Sequence, residues 1–262
     1  MTFDRSLMLQ DVSDLAKLAG TAAMKHFQKN VSVEQKRDGS PVTIADREAE
    51  QCARDWVNKN FPGDGFLGEE FGTEGWDSER QWIVDPIDGT KSFIRGVPLW
   101  GTLVAIRERD RVIAGAAYFP ALNEMLVAAL GGGCWWNGAQ CHVSNVATLE
   151  EAVVLTTDHR FGATPSRREG WDALASKAAV ARDWGDCYGY LLVATGRAEV
   201  MVDPIMADWD AAALYPAIVE AGGIFTSYDG LSTPFGKSAV ATNAVLDREA
   251  RSILGVPLLS RS

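Results

Sequence analysis

Apolar and polar positions follow two rhythms along this chain. Over residues 11–29, Leu15, Leu18, Ala19, Ala22 and Ala23 recur at steps of three and four, which predicts an amphipathic helix. A second helix is predicted over about 46–59. There Ala49, Cys52, Ala53, Trp56 and Val57 share a face, and Pro62-Gly63 follows the end. The polar stretch Lys36-Arg37-Asp38-Gly39-Ser40 between them reads as a loop suited to cover a site. Short apolar runs at 82–85, 100–107, 112–119 and 124–130 read as strands, the last three forming an antiparallel meander across short turns. Gly131-Gly132-Gly133 then breaks the pattern.

Beyond about residue 145 the rhythm changes, and strands alternate with helices. Strands are expected at 152–157, 180–184, 198–203, 223–227 and 238–242. Helices are expected at 165–179, 187–195, 246–254 and from Trp209 to Ala221, where Gly222-Gly223 stops the last of these. This alternation predicts a layered α/β arrangement. Two halves follow: 1–145, with most of the acidic motifs and the loop, and 146–262.

Composition narrows the class without choosing a function. The 262 residues are 47% hydrophobic and 23% charged, ordinary for a globular chain with a sizeable core. A net charge of -10 argues against a nucleic-acid surface. Cys52, Cys134, Cys141 and Cys187 form no C-x-x-C pair, so they read as free thiols rather than zinc ligands. Met1 to Gln10 carries Asp4 and Arg5 and no apolar signal segment, and no apolar run reaches membrane-spanning length. The expectation is a cytoplasmic protein without a membrane partner.

Chemistry concentrates in Trp82-Ile83-Val84-Asp85-Pro86-Ile87-Asp88-Gly89-Thr90, where an apolar strand delivers two carboxylates into a Gly-Thr turn. Further acids stand in Gly68-Glu69-Glu70 and in Trp209-Asp210. Carboxylates at element ends, with three scattered histidines, point to Mg²⁺ held by oxygen ligands. Two ions could share Asp85, with Asp88 and the Ile87 carbonyl completing separate shells. Backbone amides at Gly89 and Thr90 could cradle a phosphate. Thr90 could orient a water for which Glu70 is the base. Adjacent side chains on a strand face opposite ways, so Glu69 is assigned to metal and Glu70 to the water. Asp210 and Asp46 each sit at a helix start, where a helix N-cap is the competing reading. The D-x-x-D-G-T spacing is one residue longer than the D-x-D-x-T of phosphatases with an Asp nucleophile. No G-x-S-x-G is present.

Taken together, Pro41-Val42-Thr43-Ile44-Ala45-Asp46, Gly68-Glu69-Glu70, Asp85 to Thr90, Trp209-Asp210-Ala211-Ala212 and Glu220-Ala221-Gly222-Gly223 resemble the inositol monophosphatase family. The resemblance spans nearly the whole chain. It implies an alternating α/β/α/β/α sandwich, a homodimer, and two to three Mg²⁺ ions per site. By it, Glu69, Asp85 and the Ile87 carbonyl hold one ion, and Asp85, Asp88 and Asp210 a second. Asp46 and Glu69 hold a looser third. Glu70 and Thr90 would activate water directly.

Within the family, Lys91-Ser92-Phe93 and Trp184-Gly185-Asp186-Cys187-Tyr188-Gly189-Tyr190 look like the histidinol-phosphate phosphatase branch. A substrate with an ammonium and an imidazole favours carboxylate partners. Glu199, Met201 and Asp203 alternate onto one strand face, and Asp186 adds a carboxylate. Asp186, Asp203 and Glu199 are therefore the expected substrate contacts, with Glu199 equally readable as an exposed surface charge. Inositol 1-phosphate and 3′-phosphoadenosine nucleotides are the rival substrates. A metal-binding scaffold without catalysis is the rival class.

Overall fold

The computed structural model describes residues 5–36, 39–75 and 77–258. Arg37, Asp38 and Trp76 lie outside them. The helices are α1 (Arg5–Met24), α2 (Ile44–Asn60), α3 (Thr90–Ile94), α4 (Pro165–Lys177), α5 (Asp186–Ala194), α6 (Asp208–Ala212), α7 (Leu214–Glu220) and α8 (Asp247–Leu254). The strands of the first part are β1 (Val33–Gln35), β2 (Pro41–Thr43), β3 (Gly65–Gly68), β4 (Gly72–Glu74), β5 (Arg80–Asp88), β6 (Gly101–Glu108), β7 (Arg111–Phe119), β8 (Glu124–Ala129), β9 (Gly133–Trp136) and β10 (Ala139–Cys141). Then come β11 (Val153–Thr156), β12 (Val180–Arg182), β13 (Val200–Asp203), β14 (Ile224–Thr226) and β15 (Ala239–Thr242).

An eight-stranded sheet runs β10-β9-β8-β7-β6-β5-β3-β4, and a five-stranded one runs β12-β11-β13-β15-β14. The meander β6-β7-β8 is antiparallel, as its short turns require. Strand parity sorts the side chains into three cores. Trp82, Val84, Val104 and Ile106 of the large sheet face outward against α1 and α2. Ile83, Leu103 and Ala105 face inward, where they meet α5, α7 and the inner face of the small sheet through Met201 and Ala241. Val154, Val200 and Val202 on the far side of the small sheet pack against Trp171 of α4 and Ala250 of α8. The result is five alternating layers, α/β/α/β/α. No helix among the described residues is long and apolar enough to cross a membrane.

Two elements depart from the sequence reading. Helix α1 begins at Arg5, because Met8 and Val12 extend the buried stripe of Leu15, Ala16 and Ala19 by two turns. The expected helix from Trp209 to Ala221 is broken at Ala213 into α6 and α7. Pro216 has no N–H to offer the Ala212 carbonyl four residues back, so the helix cannot run on unbroken. Of the polar stretch 36–40 that reads as a covering loop, Arg37 and Asp38 lie outside the described residues, and Lys36 N donates to Ser40 O at 2.8 Å between the antiparallel strands β1 and β2. Cys134 and Cys187 are buried free thiols, whereas Cys52 and Cys141 are partly exposed.

Candidate active site

Asp85 and Asp88 are three residues apart, so a regular strand would send them to opposite faces. A β-bulge removes the conflict. Asp85 pairs with Leu103 and Asp88 with Gly101, so three steps on β5 match two on β6. Parity flips across the bulge: Ile87 drops into the outer core, and Asp88 joins Asp85 on the side of α6. Thr102 Oγ1 donates to the Pro86 carbonyl at 2.8 Å and ties the bulge to β6.

Each acid is fixed by backbone through one oxygen. Asp85 Oδ1 accepts from Ile87 N at 2.9 Å, Asp88 Oδ2 from Cys187 N at 2.5 Å and Asp210 Oδ2 from Ala207 N at 2.7 Å. Asp46 Oδ2 accepts from Thr43 N at 2.8 Å and Thr43 Oγ1 at 2.7 Å. Neither Asp46 nor Asp210 is the N-cap itself. Both stand at the third helical position and reach back, closing half of a capping box with a single oxygen.

One carboxylate oxygen each from Asp85, Asp88 and Asp210 lie within 4.8 Å of one another. Glu69 is close enough to Asp85 that each shifts the other's titration. Burial first, then the neighbouring Glu69, Asp88 and Asp210, drives the Asp85 carboxyl well above its ordinary range. Burial, Asp186 and Asp210 do the same to Asp88. Burial also raises Glu69, Asp210 and Asp46. Asp46 stands apart from the trio, feels the charge of Glu69, and leaves Oδ1 buried without a hydrogen-bond partner. Acceptor-only oxygens, crowded and shielded from water, require a hard cation between them to be ionised together. The donor set fits divalent metal.

Glu69 and Glu70 do not lie on a strand, so the parity argument does not apply to them. Strand β3 ends at Gly68, and both glutamates occupy the turn before β4. Lys36 Nζ donates to both, at 2.7 Å to Glu69 Oε1 and 2.6 Å to Glu70 Oε1. Burial pushes Glu70 up to about 7 despite that lysine, with Glu69 adding to the rise. The turn is anchored from beneath by Glu50, which is fully buried on α2. Its Oε2 accepts from Glu70 N at 2.6 Å and its Oε1 from Phe71 N at 3.1 Å. Arg54, one turn along α2, holds the same carboxylate through Nε at 3.0 Å and Nη2 at 2.8 Å. A methyl group at Gly68 would overlap that carboxylate, which is why a glycine precedes the two acids.

Gly89 has φ of 89° and precedes α3. A Cβ there would be strained and would crowd Asp186 Oδ2 at 3.1 Å and Leu99 O at 3.2 Å. Thr90 Oγ1 donates to the Ile87 carbonyl at 3.0 Å. Glu69, Gly89, Thr90, Asp186 and Asp210 all line one cavity of about 880 Å³. A recess of about 80 Å³ adjoins them, walled by Asp88, Asp186, Asp203 and Asp210. Asp203 accepts from Thr157 N at 3.2 Å and Tyr190 Oη at 3.0 Å. Burial, against the pull of those two bonds, lifts it to about 6. Burial and then Asp203 and Asp210 lift Asp186 to about 7, with Lys91 opposing.

Glu199 corrects the sequence reading on both counts. It is neither exposed nor in the cavity. Its side chain is buried, and Oε2 accepts from Val153 N at 2.6 Å to seal the start of β11. Four residues of extended chain separate it from Asp203, roughly 13 Å, so sharing a strand face did not mean sharing a site. Glu50, Arg54 and Thr157 were missed. The one available signal was a Glu-Arg pair at i, i+4 beside the apolar stripe Ala49, Ala53 and Val57.

Comparison with known proteins agrees with this fold. The sequence profile of the inositol monophosphatase family matches residues 4–254. A histidinol-phosphatase of Chlorobaculum parvum is 41% identical over 249 residues, covering 94% of this chain and 96% of the relative. One of Mycobacterium tuberculosis is 42% identical over 225 residues, covering 84% and 86%. Among solved structures, the extragenic suppressor protein suhB of Bartonella henselae superposes with a TM-score of 0.88 at 28% identity, covering 94% of this chain and 97% of that one. An inositol monophosphatase of Zymomonas mobilis superposes with a TM-score of 0.83 at 29% identity, also covering 94% and 97%. The layered α/β fold is thus shared with these solved structures, and the chain belongs to the inositol monophosphatase family.

Proposed function

We propose that this chain is a Mg²⁺-dependent phosphate monoester hydrolase that converts L-histidinol phosphate to L-histidinol and phosphate. The observation that carries the substrate is the acidic wall beyond the metal cluster. Asp186 and Asp203 line the recess next to Asp88 and Asp210, where a group close to the scissile ester would rest. An ammonium is the group that two such carboxylates favour. The naming of the 41% and 42% identical relatives as histidinol-phosphatases supports the same choice.

Glu69, Asp85, the Ile87 carbonyl, Asp88 and Asp210 would hold two Mg²⁺ ions, and Asp46 with Glu69 a third. When bound, Mg²⁺ acidifies water and offsets the charge of the phosphoryl oxygens. The remaining work falls to the chain. Gly89 and Thr90 present first-turn amides of α3, which have no acceptor within the helix, to the phosphate oxygens. Thr90 Oγ1 and the Glu70 carboxylate orient the attacking water, and Glu70 takes its proton. The proton passes to a carboxylate of matched strength, since burial has brought Glu70 to about 7. Water, not a side chain, is the nucleophile, so no covalent enzyme intermediate forms. Lys36 neutralises Glu69 and Glu70, supplying there the positive charge that bound cations would also supply.

Phosphate release from L-histidinol phosphate, inositol 1-phosphate and 3′-phosphoadenosine 5′-phosphate, compared at equal Mg²⁺, tests the reading. The expected order puts histidinol phosphate first in kcat/KM. A higher value for either rival overturns the substrate, and release without divalent metal overturns the mechanism. A homodimer is the expected assembly, checked by sedimentation velocity.

A further inference from the structure

Strand β11 is parallel to its two neighbours β12 and β13. Helix α4 leaves β11 for the outer core, while α5 leaves β12 for the middle layer. The loops from the carboxyl ends of two adjacent strands therefore diverge to opposite faces of the sheet. In open α/β sheets such a divergence opens a crevice that receives ligand. Here the crevice is continuous with the metal cavity, whose lining includes Asp158, His159 and Arg160 from one loop and Asp183 and Asp186 from the other.

The charges in these loops are not equivalent. Arg160 grips both oxygens of Asp158, with Nε at 2.8 Å and Nη2 at 2.5 Å, so its guanidinium is committed to that carboxylate, with Asp183 adding a weaker pull from a distance. Asp183 has, among the described residues, a single hydrogen bond, to His159 Nδ1 at 2.5 Å. The two side chains are 42% and 60% exposed, so the ring can leave without opening the core. An imidazole thus already marks what Asp183 accepts.

We infer that Asp183 receives the imidazole of the substrate in place of His159, and so sets specificity at the far end of the cavity. The inference rests on the histidinol phosphate reading above. The chemistry of that molecule matches the tiers of the wall. Its ammonium is attached one carbon from the ester methylene, and its ring stands one methylene further out. Asp186 and Asp203 in the recess take the ammonium, and Asp183, three residues ahead of Asp186 at the mouth, takes the ring N–H. Asp183 lies outside the metal cluster and touches no reacting atom. It acts on binding and not on the chemical step.

The test uses the whole protein with Mg²⁺ and three monoesters: L-histidinol phosphate, O-phosphoethanolamine, which has the ammonium but no imidazole, and p-nitrophenyl phosphate, which has neither ammonium nor imidazole. Asp183→Asn should raise KM for histidinol phosphate about threefold to tenfold, as fits one charge-assisted bond at a half-exposed site, with kcat unchanged. Its KM for the two esters without an imidazole should stay at the wild-type value, which also reports an intact fold. Asp183→Glu should restore part of the loss, and His159→Ala, by removing the competitor, should lower KM for histidinol phosphate. An Asp183→Asn enzyme with unchanged KM for histidinol phosphate, or with equal rises for all three esters, overturns the inference alone. A wild-type enzyme that prefers inositol phosphate overturns the parent reading, and this inference with it.

Discussion

Gly68→Ala should damage this protein out of proportion to a single methyl group. That methyl would overlap the Glu50 carboxylate. Glu50 cannot swing aside freely, because four bonds hold it: Glu70 N at 2.6 Å, Phe71 N at 3.1 Å, and Arg54 Nε and Nη2 at 3.0 and 2.8 Å. Overpacking a fixed site costs about 1–3 kcal/mol. Loosening one charge-assisted bond adds about 1.5 kcal/mol, for a total of about 3 kcal/mol. Activity should fall further than stability suggests, since Glu69 and Glu70 ride on the turn that Glu50 anchors. A displacement of about 1 Å there would cost on the order of a hundredfold in kcat. Urea unfolding gives the stability change, and phosphate release under saturating Mg²⁺ gives the rate. The double variant Glu50→Ala/Gly68→Ala provides the internal control. With the carboxylate gone, the added methyl should cost almost nothing further, so the two losses should be strongly non-additive. A Gly68→Ala protein with wild-type midpoint and rate, or fully additive losses, would refute the clamp.

Three further outcomes follow from the same charges. Asp88→Asn should cut metal-dependent phosphate release by at least a hundredfold, yet in metal-free buffer its thermal midpoint should match or exceed wild type, because a buried carboxyl driven well up by its neighbours becomes a neutral isostere. Chelation should make stability fall as pH rises: Asp85 and Asp88 bind protons more tightly folded than unfolded, so their contribution is complete below the ordinary carboxylate range and is lost above it. Added Mg²⁺ should reverse that slope in a thermal scan, and a flat response at all pH values would speak against the cluster. Tyr190→Phe removes a donor that holds the Asp203 carboxyl down, so the Asp203 titration should move upward from about 6 by about half a unit to one unit, read from its carboxyl-carbon NMR shift in metal-free buffer, while an unmoved titration would remove the Tyr190 hydroxyl as its support.

Local patterns carried much of this protein. The helix at 44–60 and the meander were legible because a side-chain period is a property of neighbours in sequence. Asp85, Asp88, Glu69, Glu70 and Asp210 were legible as candidates because motif spacing survives without coordinates. The break at Ala213 was also written locally, in Pro216, and was overlooked in favour of the longer apolar period.

Other features depended on contacts between distant residues. Asp85 and Asp88 share a face only because β6 imposes a bulge on β5, and nothing within the motif announces the partner strand. Asp46 and Asp210 each spend one oxygen on the backbone at the start of their helix and keep the other spare, and where that spare oxygen lies depends on how separate helices pack. Glu199 and Asp203 share a strand face, yet one seals the start of β11 and the other lines the recess. Glu50, buried beneath the turn that carries Glu69 and Glu70, is a helix residue whose role exists only once Gly68 packs over it. Sequence determined which groups could bind metal and phosphate, since that is set by residue type and spacing along the chain. Tertiary structure decided which of them meet, because burial and the sign of each electrostatic interaction depend on distances that sequence separation does not encode.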